Sequence, residues 1–174
     1  FVGGKSRLAA QIVERIPPHL AYVEPFAGGA WVFFQNQPSK VEVLNDLDGE
    51  LVSFWRVIQN HPQEFFSWCE KMVPARELFE WERRRDTAGL TDIQRAARYY
   101  YLQRLAFGGQ MRHLNLGTSS IRPPGFHLAE LRKSLPEIEK RLQRVLIENL
   151  DAVECIRRYD RATTCFYLDP PYWG

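Results

Sequence analysis

Near its carboxyl end the chain carries Asp169-Pro170-Pro171-Tyr172, directly after the apolar run 165–168. Two consecutive prolines fix φ and remove two N–H donors. What remains is a stiff turn that presents one carboxylate, free carbonyls and one aromatic ring. That set suits an exocyclic amino group on a planar base. Such an amine is a poor nucleophile, because its lone pair is delocalised into the ring. Hydrogen bonds from the amine to the Asp169 carboxylate and the Pro170 carbonyl would direct that lone pair at an electrophilic methyl, with Tyr172 stacked on the base. Catalysis would then be mostly positioning for in-line transfer. A base inside a duplex cannot reach such a turn, so it would have to be flipped out.

A second set of residues lies near the start. Glu24-Pro25-Phe26-Ala27-Gly28-Gly29 follows the short apolar stretch 20–24. Glycines at this place let the backbone turn sharply and come close to a ligand. Asp46 follows the next apolar stretch, 18 residues beyond Gly28. In nucleoside-binding sheets an acid near that spacing accepts hydrogen bonds from ribose hydroxyls. Asp46 would otherwise be a helix cap. The turn departs from the GxGxxG pattern, which argues against a dinucleotide and for a nucleoside-type cofactor. Gly4-Lys5-Ser6 with Asp169 superficially matches the Walker motifs of a P-loop ATPase. That reading leaves the turn at 24–29, Asp46 and the two prolines unexplained.

These turns need a scaffold. Leu8, Ile12 and Ile16 recur at helical spacing over 5–16, and Pro17-Pro18 stop the pattern. Residues 20–24 and 41–44 read as short buried strands, with helices at 30–35 and 49–59 after them. Asp46 or Asp48 is the expected cap of the second helix. Strands at 146–147 and 165–168 flank a helix at 152–158. Strand, glycine turn, helix, strand, helix is the opening of a doubly wound α/β sheet. The middle differs. Residues 62–106 are amphipathic and helical, broken near Pro74 and Gly89. A Gly-, Pro- and Ser-rich loop follows over 107–127, and a long loop of this kind in a compact domain is often functional. Residues 128–144 return to helix. The expected architecture is an α/β sheet of Rossmann-like type, interrupted by a mainly helical insertion. The sheet domain would comprise residues 1–59 and 146–174, and the insertion residues 60–145.

Composition narrows the classes. The chain has 174 residues, 45% hydrophobic and 25% charged, as in an ordinary globular protein. No apolar run approaches the roughly 18 residues of a membrane span, and the start lacks a signal-peptide pattern. No membrane partner and a cytoplasmic location are expected. The three cysteines, Cys69, Cys155 and Cys165, show no CxxC spacing and read as free thiols. The histidines are scattered, so no metal is expected. The net charge of +2 hides an asymmetry: residues 60–145 hold 15 Lys and Arg against 10 Asp and Glu, and the remainder holds 8 against 11. The insertion is therefore the place for a polyanion.

Taken in order, Phe1-Val2-Gly3-Gly4-Lys5, Glu24-Pro25-Phe26-Ala27-Gly28-Gly29, Asn45-Asp46 and Asp169-Pro170-Pro171-Tyr172 resemble the Dam-like DNA adenine-N6 methyltransferases. The likeness extends over essentially the whole chain, including the stretch 99–127, where Phe107-Gly108-Gly109 stands in place of the family's common Phe-Asn-Gly. The resemblance implies an S-adenosyl-L-methionine site. Phe1 would lie against the adenine or methionine end, Lys5 near the methionine carboxylate, and Glu24, Pro25, Phe26, Gly28 and Gly29 around the cofactor. Asp46 would hold the ribose, Asp151 would face the cofactor adenine, and Asp169 would border both cofactor and target. Asp169, Pro170 and Tyr172 would be the catalytic set, and residues 60–145 the target-recognition insertion on double-stranded DNA. Members of that family continue past this turn with further strands, so the sheet is expected to be incomplete at its carboxyl end. Two neighbouring readings stay open: a DNA-binding fragment without activity, and cytosine-N4 methylation by a related Pro-Pro-Tyr turn. Also open is whether the protein works as a monomer, or alongside a restriction endonuclease. Charge reversal at Arg112 or Arg122, the basic residues of the long loop, is expected to weaken DNA binding and flatten its salt dependence. An unchanged salt slope would take that loop out of the DNA interface.

Overall fold

The computed structural model describes residues 8–106, 116–117 and 125–171. Phe1, Lys5, Arg112, Arg122 and Tyr172, all singled out above, lie outside the described residues. Among these described residues two compact units are distinguished: Ser53–Lys140, and residues 8–52 together with 141–171. The chain passes from one to the other inside helix α3 (Gly49–Asn60) and again inside helix α7 (Leu128–Leu142). Both crossings fall a few residues earlier in the chain than the boundaries expected after 59 and after 145.

The unit built from 8–52 and 141–171 is organised on four parallel strands, β1 (Ala21–Glu24), β2 (Val41–Asn45), β3 (Leu146–Glu148) and β4 (Thr164–Phe166), in the order β3-β2-β1-β4. Ala21 stands opposite both Val41 and Thr164, and Val43 opposite Leu146. β1 and β2 are buried along nearly their whole length, as parallel strands covered on both faces must be. Side chains alternate across the sheet. Val23 and Val43 pack on Cys155 of helix α8 (Ala152–Tyr159), with Leu150, Tyr159 and Phe166 around them. On the other side Glu24 and Glu42 make polar contacts to Phe33 of helix α2 (Trp31–Gln35) and to Arg141. Helices on both sides of a parallel sheet give the α/β, Rossmann-like class expected from the sequence.

Local chemistry sets the element ends. Helix α1 spans only Ala9–Val13, although its pattern reads to Ile16. The final turn tightens into Arg15 N–H to Ile12 and Ile16 N–H to Val13, because the residue before a proline avoids the α region. β4 is shorter than the expected 165–168. Tyr167 still donates to the Val23 carbonyl at 3.0 Å, but Leu168 is half exposed as the chain turns into the prolines. Of the two candidate caps for α3, Asp48 is the one used: its Oδ1 accepts from Glu50 N–H (2.9 Å) and Leu51 N–H (3.4 Å).

Within Ser53–Lys140, the amphipathic stretch 62–106 forms three helices, α4 (Pro62–Cys69), α5 (Arg76–Arg84) and α6 (Asp92–Leu105), interrupted where Pro74 and Gly89 fall. Both α4 and α5 pack on α6. Thr91 and Gln94 form a reciprocal capping box that starts α6. Phe54, Phe65, Tyr100, Tyr101 and Phe126 interlock edge-on or tilted around it. Among the described residues no helix is long and apolar enough to cross a membrane, and no group of three or more His, Cys, Asp or Glu is placed to hold a metal ion.

Gly125 lies where α6 meets the segment before α7. Its carbonyl accepts from Arg104 Nε at 2.9 Å, and a Cβ at this position would collide with the Arg104 carbonyl oxygen. Backbone cannot yield as a side-chain end can. Gly125→Ala should therefore cost about 1–3 kcal/mol by overpacking, read as a lowered midpoint in denaturant. An unchanged midpoint would show that the two segments do not approach this closely.

Candidate active site

In an all-parallel sheet every strand ends at the same edge, and ligands bind where the strand order reverses. Here the reversal lies between β1 and β4. The segment Pro25–Gly29 leaves the end of β1, and Asp169-Pro170-Pro171 follows the end of β4. Asp46 follows β2, and Asp151 follows β3. Of the singled-out residues that the structure describes, each is thus placed at the carboxyl edge of the sheet.

The turn after β1 is an unusual piece of backbone. Gly28 has φ +48°, and Ala30 has φ 51° and ψ 35°. A non-glycine residue in the left-handed region costs roughly 1 kcal/mol and needs support from its surroundings. Ala30 is buried, and its N–H closes onto the Ala27 carbonyl at 2.7 Å. At Gly28 an added Cβ would meet none of the described residues within 4 Å. Glycine is needed there for its backbone angle, and the space beside it is open. Open space against a glycine backbone lets a nucleoside-type ligand come close, so the residues fit such a group.

Asp46 is the brace of that turn. Its Oδ2 accepts from Gly28 N–H at 3.0 Å and its Oδ1 from Asp48 N–H at 3.0 Å. Each carboxylate oxygen has a second lone pair for another donor. Asp46 is half-buried and is not the cap of α3, so the spacing to Gly28 corresponds to a direct contact.

Asn45, one residue earlier, is the part that residue types alone did not single out. It is 1% exposed. Its Nδ2 donates to the carbonyls of Pro25 and Leu150, both at 3.0 Å, and its Oδ1 accepts from Leu150 N–H at 2.8 Å. The Asn45 carbonyl also accepts from Ala27 N–H at 2.8 Å. One residue at the end of β2 therefore ties the loops after β1 and β3 together. Nearby, Asn149 donates to the carbonyls of Asp46 and Leu47. Asp151 caps α8, its Oδ1 accepting from Val153 and Glu154 N–H.

Glu24 is buried too, at 1% exposure. Its Oε1 accepts from the Tyr22 hydroxyl (2.8 Å) and from Phe33 N–H (2.9 Å). Its carboxylate thus faces inward and acts on the turn from behind. Burial pushes its pKa up to about 8, against the pull of the two hydrogen bonds; the negative charge of Asp169 raises it and Arg141 lowers it. Burial also holds the Tyr22 phenol far above its usual range.

The sign of the pH effect follows. A carboxyl group whose folded pKa is raised stabilises the fold below the ordinary carboxylate range, and that stability is lost as pH rises towards 8. Glu24→Gln keeps an acceptor for Tyr22 and Phe33 and removes the titration. Its stability should lie close to the parent at pH 5, and the decline between pH 5 and 8 should be shallower by up to roughly 1 kcal/mol per unit. Denaturant midpoints across that range measure it; parallel curves for parent and variant would mean that Glu24 is ionised throughout.

Comparison with known proteins adds to this geometry. The model of the D12 class of N6 adenine-specific DNA methyltransferases matches residues 1–174. A type II methyltransferase of Lactococcus lactis subsp. cremoris is 26% identical over 99% of this chain and 64% of its own length. The DNA N-6-adenine-methyltransferase of Escherichia phage P1 is 25% identical over 99% of this chain and 23% of its own. The DNA adenine methylase of Escherichia coli strain K12 is 25% identical over 99% of this chain and 63% of its own. The chain thus spans less than two thirds of the length of each of these three relatives.

Proposed function

The chain belongs to the D12 class of N6 adenine-specific DNA methyltransferases, and from that premise we propose that it carries the methyl-transfer core of an enzyme that methylates the N6 amine of adenine in double-stranded DNA, with S-adenosylmethionine as donor. The observation that carries this reading is the pairing of two turns. The glycine turn after β1 and the Asp169-Pro170-Pro171 turn after β4 flank the reversal of strand order.

Within this reading the open side of Gly28, together with Pro25, Phe26, Gly29 and Asp46, holds the donor, and Asp46 offers its remaining lone pairs to the ribose. Phe1, Lys5 and Asp151 complete that set by resemblance to the family. Glu24 takes part from behind, by fixing the start of α2. The bound donor supplies an electrophilic methyl group on a sulfonium. The target adenine leaves the duplex and presents its amine to Asp169 and to the Pro170 carbonyl. Both acceptors fix the directions of the two N–H bonds and so direct the nitrogen lone pair along the line of transfer. The proton that the amine sheds has the Asp169 carboxylate as its hydrogen-bonded acceptor. Tyr172 stacks on the base. Residues 60–145, with Arg112 and Arg122, contact the DNA outside this pocket.

Asp169→Ala tests the assignment directly. Asp169 is half-buried in a loop, so the fold should survive. Transfer of a tritium-labelled methyl group to DNA by the full-length protein should fall by about a hundredfold or more, with donor binding largely retained. Transfer at the parent rate would remove Asp169 from the reaction.

A further inference from the structure

Helix α2 follows the glycine turn directly, yet little of its own chemistry holds it. It has five residues, begins at the left-handed Ala30, and has no side-chain cap at its start. An isolated helix of that length does not persist in water. Its position must come from outside, and Phe33 shows from where. The Phe33 N–H donates to Glu24. The Phe33 carbonyl accepts from Arg141 Nη2 at 3.2 Å, and the Arg141 guanidinium lies over the Phe33 ring, its Cζ 3.7 Å from the centroid.

Arg141 is itself fixed. Both of its terminal nitrogens reach the Glu42 carboxylate of β2, Nη2 to Oε1 at 2.7 Å and Nη1 to Oε2. Glu42 is 4% exposed, and its Oε1 also accepts from Ser39 N–H at 3.1 Å. A planar fork that pairs a carboxylate bidentately, donates to a carbonyl and covers a ring is something lysine cannot reproduce. The pair joins residues 99 apart in sequence, from the last turn of α7 to the middle of β2.

We propose that Arg141, set by Glu42, is a positioning residue for the donor site: it holds Phe33, and through Phe33 the start of α2 and the turn Gly28–Ala30 that the donor rests on. Arg141 touches neither donor nor target in this reading. The inference rests on the donor reading of the glycine turn given above. Buried ion pairs contribute little net stability and are often replaceable by apolar pairs. What this pair adds is a fixed place for the Phe33 backbone.

The test compares the full-length parent with Arg141→Met/Glu42→Leu, which removes both charges together and so leaves none buried alone, and with Arg141→Lys. Thermal denaturation identifies the folded variants. Isothermal titration with S-adenosylmethionine, and steady-state methyl transfer, then read the site. In the double variant the dissociation constant and KM for the donor should rise about tenfold, equivalent to roughly 1.4 kcal/mol. kcat at saturating donor and the affinity for duplex DNA should change less than about twofold. Arg141→Lys, which keeps the charge without the fork, should weaken donor binding by an intermediate amount. Should the double variant fail to fold, the same split in Arg141→Lys decides. A folded variant with parental donor affinity overturns the positioning role and leaves the donor site standing. A parent protein that binds no S-adenosylmethionine overturns the donor reading and this inference with it. A proportional loss of kcat and DNA affinity alongside donor affinity would mark a general structural role, and would also overturn it.

Discussion

The buried amide of Asn45 is the interaction on which the carboxyl edge of the sheet depends. A parallel sheet delivers its strand ends to one edge but does nothing to hold the loops that follow. Those loops carry backbone donors and acceptors that must find partners once buried. Asn45, at the end of β2, meets that need for the loops after β1 and β3 at once, through Pro25 and Leu150, with its own carbonyl on Ala27. An aspartate could not donate to the two carbonyls, and a leucine would leave the Pro25 carbonyl and the Leu150 carbonyl and N–H without these partners. Each unpaired buried group costs on the order of 1–3 kcal/mol.

The neighbouring Asp46 does a related task at the half-buried rim. Its carboxylate binds the Gly28 and Asp48 amides, so the glycine turn is anchored before any ligand arrives. Behind the turn, Glu24 and the Glu42–Arg141 pair grip the two polar ends of Phe33. The left-handed angles at Gly28 and Ala30 are thus fixed from two sides, by acids placed on consecutive strands of the sheet. The turn is prepared by residues that need not touch a ligand themselves. This division is consistent with catalysis by positioning, where small displacements of a support are expected to cost rate or affinity.

Much of this was legible from residue order. Apolar spacing placed all four strands and the main helices. The step from Gly28 to Asp46 read as an acid placed for a ribose or as a helix cap, whereas the structure shows its carboxylate bracing Gly28. The three helices between 62 and 105 fell where proline and glycine interrupt a single amphipathic pattern. Less legible was which acid does what. Asp46 and Asp48 are both good caps by type, and only the hydrogen bonds separate the brace from the cap. Strand ends also shifted, since a strand fades where prolines pull the chain out of register, and periodicity does not report that.

Other features left no local trace. Tyr22 and Glu24 are two apart on one side of a strand and read as ordinary alternation, yet burial makes them a coupled pair. Arg141 sits in a helix with a charged exposed side and is indistinguishable by type from Arg144. Its partner is 99 residues away, a pairing that only the closed sheet creates. Asn45 was visible as a family likeness but not as chemistry, because a single asparagine after a strand has no pattern to announce it. The central claim is that the two turns at the strand reversal join donor and adenine amine. It is tested most directly by incubating the full-length protein with tritium-labelled S-adenosylmethionine and mixed-sequence duplex DNA, and then hydrolysing the DNA to nucleosides. The label is predicted in N6-methyldeoxyadenosine. Label in N4-methyldeoxycytidine, or unlabelled DNA from a protein that binds the donor, would contradict it.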